Sequence, residues 1–148
     1  GFQHACAIRA GKLACWGLNK HGQIGNGDSG VIDGQFDSLT GSNYTVKVAL
    51  QPYEVFSSGV SDVALGYEHT CAIRNGDLYC WGRSTEGELG YMSTVECEPE
   101  NGIFNYCSAT PMKADLSVRR ISAGANSTCV ETMAGELRCL GLPWASSP

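Results

Sequence analysis

Hydrophobic positions in this chain fall in short runs separated by glycine, and none repeats with the 3.6-residue period of a helix over any length. That pattern predicts an all-β protein of antiparallel strands. One run shows the two-residue period openly. Tyr44, Val46, Val48 and Leu50 alternate with Thr45, Lys47 and Ala49, which predicts an extra or lengthened strand with one apolar face. The runs from Val60 to Gly66 and from Val118 to Gly124 align with each other, and each leads into a hairpin. Upstream, Gln51 to Val55 aligns with Thr110 to Ala114, each with a proline where a strand start or edge loses no ladder donor.

The hairpin itself occurs three times, as HACAIRAGKLACWG from His4, HTCAIRNGDLYCWG from His69 and STCVETMAGELRCLG from Ser127. Asn75-Gly76 is a two-residue type I′ turn signal, and the register it sets places Cys71 opposite Cys80. Ala10-Gly11 is a weaker form of the same signal and places Cys6 opposite Cys15. The third copy is one residue longer. A three-residue loop, Met133-Ala134-Gly135, with the glycine left-handed, absorbs the difference and sets Cys129 against Cys139. In the two-residue hairpins the cysteines fall at non-hydrogen-bonded pairs, where Cα atoms about 4.5 Å apart are within reach of a disulfide. Cys97 and Cys107 flank Asn101-Gly102 at nearly the same spacing, which suggests a fourth local bridge.

With 148 residues, 43% of them hydrophobic, the chain has material for one modest core or a few small stacked sheets. All 8 cysteines are used by these four pairs, so an oxidising compartment is expected and the protein reads as extracellular or cell-surface. Spacings of this kind are unlike zinc knuckles, and no cofactor or metal is implied. The net charge of -5, with 10 basic residues and no basic run beyond Arg119-Arg120, argues against a nucleic-acid partner. No run approaches the roughly 20 apolar residues of a membrane span. The sequons at Asn43 and Asn126 are candidate glycosylation sites on a secretory route. No signal peptide precedes Gly1, so the chain is expected to begin after processing or to be part of a longer protein.

The order H-T-C-A-I, turn, L-Y-C-W-G, followed in the first copy by N-K-H-G-Q-I-G, resembles the regulator of chromosome condensation repeat, and the resemblance covers nearly all of the chain. It implies that each repeat makes one four-stranded blade of a β-propeller, commonly of seven blades. The cysteine-stapled form is similar to secreted members and to the ectodomains of crinkly-type plant receptor kinases. The nuclear founding member is a nucleotide-exchange factor for a small GTPase, an activity that neither the cysteines nor the charge supports here. The expected organisation is one domain of about two and a half repeats: 1–50, 51–109 with a disulfide loop at 97–107, and an atypical 110–148. That is a partial or incomplete propeller. The third copy has Leu140 where Trp16 and Trp81 stand, and it runs on into Gly141-Leu142-Pro143-Trp144 in place of G-Q-I-G. The chain is therefore capped there, is a piece of a longer protein, or is completed by copies of itself.

Candidate chemistry is sparse. His4 and His69 recur at one repeat position, Ser127 replaces them in the third, and a structural hydrogen bond inside a blade is the reading. No ordered motif marks a catalytic triad, and the protein reads as a non-enzyme. Asp28, Asp33 and Asp37 lack the alternate-residue spacing of a calcium loop and read as a solvated loop. Glu86, Glu88, Glu96, Glu98 and Glu100 form an acidic block with no Lys or Arg between Ser84 and Met112, a candidate surface for a basic partner. Trp16 and Trp81 are candidate stacking platforms for a sugar or peptide, but their recurrence beside a disulfide favours packing against it. The segments from Gly25 to Ser42 and from Tyr91 to Ala109 vary most between repeats, which is where a repeat scaffold carries specificity. The function expected is a protein-interaction or structural scaffold binding proteins or copies of itself, with self-assembly into a surface structure or filament as one version of that reading. The alternatives are a lectin-like or receptor-ectodomain module for glycan or peptide, and a secreted enzyme inhibitor.

Overall fold

The structure is a computed structural model. It describes residues 1–29, 31–37, 42–100 and 103–142, without the side chains of 31–46 and 98–104. The Asn101-Gly102 turn and the segment from Pro143 through Trp144 lie outside the described residues. Twelve strands follow in order: β1 (His4–Arg9), β2 (Lys12–Leu18), β3 (Val31–Asp37), β4 (Ser42–Val46), β5 (Val48–Phe56), β6 (Val60–Leu65), β7 (His69–Arg74), β8 (Asp77–Arg83), β9 (Glu96–Glu100), β10 (Ile103–Ala123), β11 (Ser127–Thr132) and β12 (Leu137–Gly141). The described residues contain no helix.

The strands make three blades. The first is β1-β2-β5, the second β6-β7-β8 closed by the first part of β10, and the third the last part of β10 with β11 and β12. β10 pairs with β8 up to Ser117 and with β11 from Val118, so one continuous strand ends one blade and begins the next. Between β5 and β6 the same passage is made by a short turn at 57–59. β3 and β4 form a separate two-stranded ribbon, and β9 pairs with the start of β10 as a second one.

The hairpin turns explain the registers. Ala10 and Gly11, and likewise Asn75 and Gly76, have positive φ, as a type I′ turn requires. They set Cys6 against Cys15 and Cys71 against Cys80, each pair disulfide-bonded with Cα atoms 4.1 Å apart. In the third hairpin Thr132 N–H donates to Glu136 O, closing the loop over left-handed Gly135, and Cys129 is bonded to Cys139. Cys97 and Cys107 are also bonded, but on a diagonal. Cys97 pairs with Asn105 in the β9–β10 ladder, and the bridged Cα atoms are 5.9 Å apart.

The alternating run from Tyr44 to Leu50 is not one strand. It breaks at Lys47, with β4 pairing to β3 and β5 to β2. Lys47 O accepts from Asn19 N–H at 2.8 Å, and its ammonium pairs with Asp28, so both ends of the residue are tied outside the ladders.

The core lies between blades. Period-two alternation sends Thr70 and Ala72 to one face of β7 and Cys71 and Ile73 to the other, and all four are buried. One cluster, Leu13, Cys15, Ile24, Val60, Ala72 and Trp81, joins the first two blades. The other joins the second and third through Cys71, Ile73, Leu78, Cys80, Leu89, Val118 and Val130, among others.

The blade interfaces as candidate functional site

The repeated histidine is built into a four-residue turn, Gly66-Tyr67-Glu68-His69, closed by Gly66 N–H donating to His69 O at 2.9 Å. The imidazole lies directly over Gly66: a Cβ there would sit 2.0 Å from His69 Cε1, so no larger residue fits beneath the ring. From that position His69 does not bond inside its own blade, as the sequence suggested. Its Nε2 is 2.9 Å from Thr128 Oγ1 on the third blade, and His4 Nε2 is likewise 2.9 Å from Thr70 Oγ1 on the second. Each histidine is thus a latch to the next blade. The sequence hides this because nothing local shows that two residues 66 or 59 positions apart share an interface.

The proton positions follow from the partners. Thr70 donates its hydroxyl proton to Gln23 O at 2.9 Å, so Oγ1 is left to accept from His4 Nε2–H. Thr128 Oγ1 lies 3.6 Å from Cys71 Sγ, a disulfide sulfur with no proton, so this hydroxyl also points away and accepts from His69. Both rings are neutral. Burial is the main cause, holding each pKa down to about 4, with the positive charge of Arg83 adding to the effect at His69.

Trp81 completes the first interface. It is fully buried, and its Nε1–H donates to the same Gln23 O at 2.9 Å. The segment 19–25 of the first repeat lies across it so closely that a Cβ on Gly25 would be 2.8 Å from Nε1. At the second interface Gly90 meets Leu140 in the same way. Burial therefore removes Trp81 from any stacking platform; it belongs to the cluster holding Cys15, the disulfide of the preceding blade. Trp16, at the equivalent place on the first blade, is only half-buried.

A family profile for the "Regulator of chromosome condensation (RCC1) repeat" matches residues 60–88, and a second profile of the same description matches 75–130. Residues 60–130 therefore carry RCC1 repeats. It is 31% identical over 98 residues to the ultraviolet-B receptor UVR8 of Arabidopsis thaliana, covering 65% of this chain and 19% of that protein. It is 29% identical over 136 residues to the Xenopus laevis protein RCC2 homolog, covering 90% of this chain and 22% of the other. The chain thus spans about a fifth of the length of these relatives. Among solved structures it superposes on Prp20p of Saccharomyces cerevisiae, described with its binding to Gsp1p and histones, at a TM-score of 0.68 and 20% identity, over 94% of this chain and 31% of that one. That likeness establishes the propeller fold.

In these RCC1 repeats the acidic block is divided by burial. Glu88 is 1% exposed and is not part of the surface; burial raises its pKa, against donation from backbone N–H groups and the charge of Arg83. Arg83 lies 3.5 Å from Glu86, 3.9 Å from Glu68 and 4.0 Å from Glu88, so the residue just before the block offsets part of the charge at its near end. Glu68 is pushed up by burial and pulled down further by its hydrogen bond to His21 and by neighbouring positive charge, with a net lowering. Glu96 is exposed on β9, and the side chains of Glu98 and Glu100 lie outside the described residues. Asp28 pairs with Lys47, and the side chains of Asp33 and Asp37 are not described. Asn43 lies on β4, its side chain likewise not described; Asn126 is half-buried, and the Thr128 of its sequon is the buried latch hydroxyl.

Proposed function

We propose that this RCC1-repeat chain is a non-enzymatic scaffold for protein interaction, working in an oxidising, extracellular or cell-surface setting. The observation that carries the reading is the placement of its two ribbons. β3–β4 and β9 with the start of β10 both grow from the same point of the repeat, after the glycine-flanked segments 22–25 and 87–90 and before the outermost blade strand. Equivalent points of stacked repeats project from the same side of an array, so the two most variable segments share one side. Beneath them the blades are fixed by disulfides and latches, a rigid base that lowers the ordering cost of binding. Four bridges and no free cysteine support the oxidising compartment.

A photo-crosslinking residue placed at Glu96, on the second ribbon, tests this in the organism's own extracellular fraction. A discrete crosslinked protein is expected from Glu96 and not from Lys113, which is tied to Asp77 on the blade. Equal yields from both positions, or none from Glu96, would overturn the ribbon as the binding element. Free thiols in protein recovered under acid quench would overturn the compartment.

A further inference from the structure

At the junction of the first and second blades a group of polar side chains keeps unmet hydrogen-bonding capacity, and both repeats that build it lie within the described residues. His21 is fully buried in the segment ahead of the first ribbon. Its Nδ1 faces Glu68 Oε1 at 3.4 Å, and its Nε2 has no hydrogen-bond partner. With the ring proton on Nδ1, toward the carboxylate, Nε2 presents a lone pair that can accept. Glu68 stands in the turn before β7, Arg83 ends β8, and Glu86 follows in the segment ahead of the second ribbon. Arg83 approaches Glu86 at 3.5 Å and Glu68 at 3.9 Å, both longer than the about 2.7–2.9 Å of a charge-assisted bond, and its Nε also lacks a partner. Carboxylate lone pairs of Glu68 and Glu86 therefore stay open. Their side chains are 18% and 27% exposed, so the group meets solvent at the end of the blades from which the ribbons grow.

Charge at that end is one-sided. The first ribbon carries Asp33 and Asp37, the second Glu96, Glu98 and Glu100, and neither has a Lys or Arg. Of the 10 basic residues, Lys20, Lys47 and Arg83 lie at this end, and Lys47 is paired with Asp28. The others, such as Arg9, Lys12 and Arg74, lie toward the hairpin turns at the opposite end of the strands. Open acceptors in a negative surface call for a cationic ligand with several donors. Among the described residues no three His, Cys, Asp or Glu groups converge to hold a metal ion. A guanidinium fits better, because its five N–H donors and its charge are spread over a plane that can reach separate acceptors. We propose that Glu68, Glu86 and His21 receive an arginine side chain from a basic segment of a partner protein, which the acidic ribbons draw in. The proposal rests on the scaffold reading above and names the chemistry of its partner.

Fluorescence anisotropy of the intact oxidised protein with a fluorescein-labelled peptide of arginine, glycine and serine, at roughly physiological salt, tests this. Saturable binding is expected, weakened at least about tenfold by Glu68→Gln and by Glu86→Gln, since each removes a charged acceptor. Glu54→Gln removes a carboxylate 51% exposed at the hairpin-turn end and should change the affinity less than about twofold. On the unmodified protein the peptide should shift the His21 ring signals in NMR spectra more than those of His4 and His69. No binding, an unmoved His21 ring, equal weakening by Glu54→Gln, or indifference to both Glu68→Gln and Glu86→Gln would overturn the site. Equal affinity for the lysine counterpart of the peptide would overturn the guanidinium assignment. Crosslinking from Glu96 is read without the peptide, so a partner captured there in the absence of peptide binding leaves the scaffold reading standing.

Discussion

Thr70→Val removes one oxygen from a buried site while hardly changing its shape. The Thr70 hydroxyl accepts from His4 Nε2–H and donates to Gln23 O, each at 2.9 Å, and the residue is fully buried. Valine occupies nearly the same volume, so no cavity forms. Gln23 O keeps its bond from Trp81 Nε1–H, and the uncompensated loss falls on the imidazole donor. A buried donor left unmet costs about 1–3 kcal/mol. With about 2 kcal/mol lost, and about 2–4 °C per kcal/mol for a domain of this size, the melting midpoint should fall by about 4–8 °C. The assay is melting of the oxidised protein at neutral pH, followed by circular dichroism, within a double-mutant cycle with His4→Phe. Once the imidazole is gone the valine has nothing to leave unpaired, so a coupling of at least about 1 kcal/mol is expected. A loss under about 0.5 kcal/mol, or two losses that simply add, would refute the latch.

The same histidines predict a pH profile. Their folded pKa values are about 4 against an ordinary 6.5, so the unfolded chain takes up protons first as pH falls. The stability they contribute is complete above pH 6.5 and is lost between 6.5 and about 4, up to roughly 3 kcal/mol for each ring. A urea midpoint that stays flat down to pH 4.5 would show that the rings are solvated. Gly25→Ala forces a methyl against Trp81 at φ +81 and should cost roughly 2–5 kcal/mol, whereas Gly87→Ala, with φ +79 and nothing within 4 Å, should cost only about 1–2. Equal losses at the two glycines would mean that close packing over the indole is not what Gly25 provides. Replacing Cys97 and Cys107 together by alanine should lower stability by about 2.5–3 kcal/mol if loop closure is the source, and an unchanged denaturant midpoint would reject that account.

Much of the fold was legible because it is local. Asn75-Gly76 and Ala10-Gly11 choose their own turn type, and a turn type sets a register, so the cysteine-stapled hairpins could be read from residues a few positions apart. The run from Tyr44 to Leu50 misled for the converse reason. Its alternation is real, but Lys47 is held by Asn19 and Asp28, partners that only the folded chain brings near. Glu88 looked like a surface candidate because charge carries no information on which side of a blade is covered. One overlooked signal was present: the glycine three residues before His4 and His69, which leaves space for the ring.

The sequence alone determined the repeat, its hairpins, their disulfide registers and the all-β class, since each depends on turn chemistry and on a period of two acting over neighbouring residues. The tertiary structure decided the rest. It set one face of each blade against the repeat before or after it, converted the histidines from internal bonds into latches between blades, and buried Trp81 beneath the segment of the preceding repeat. Those outcomes depend on which residues distant in the chain exclude water from one another, a property of stacked sheets that no single repeat contains.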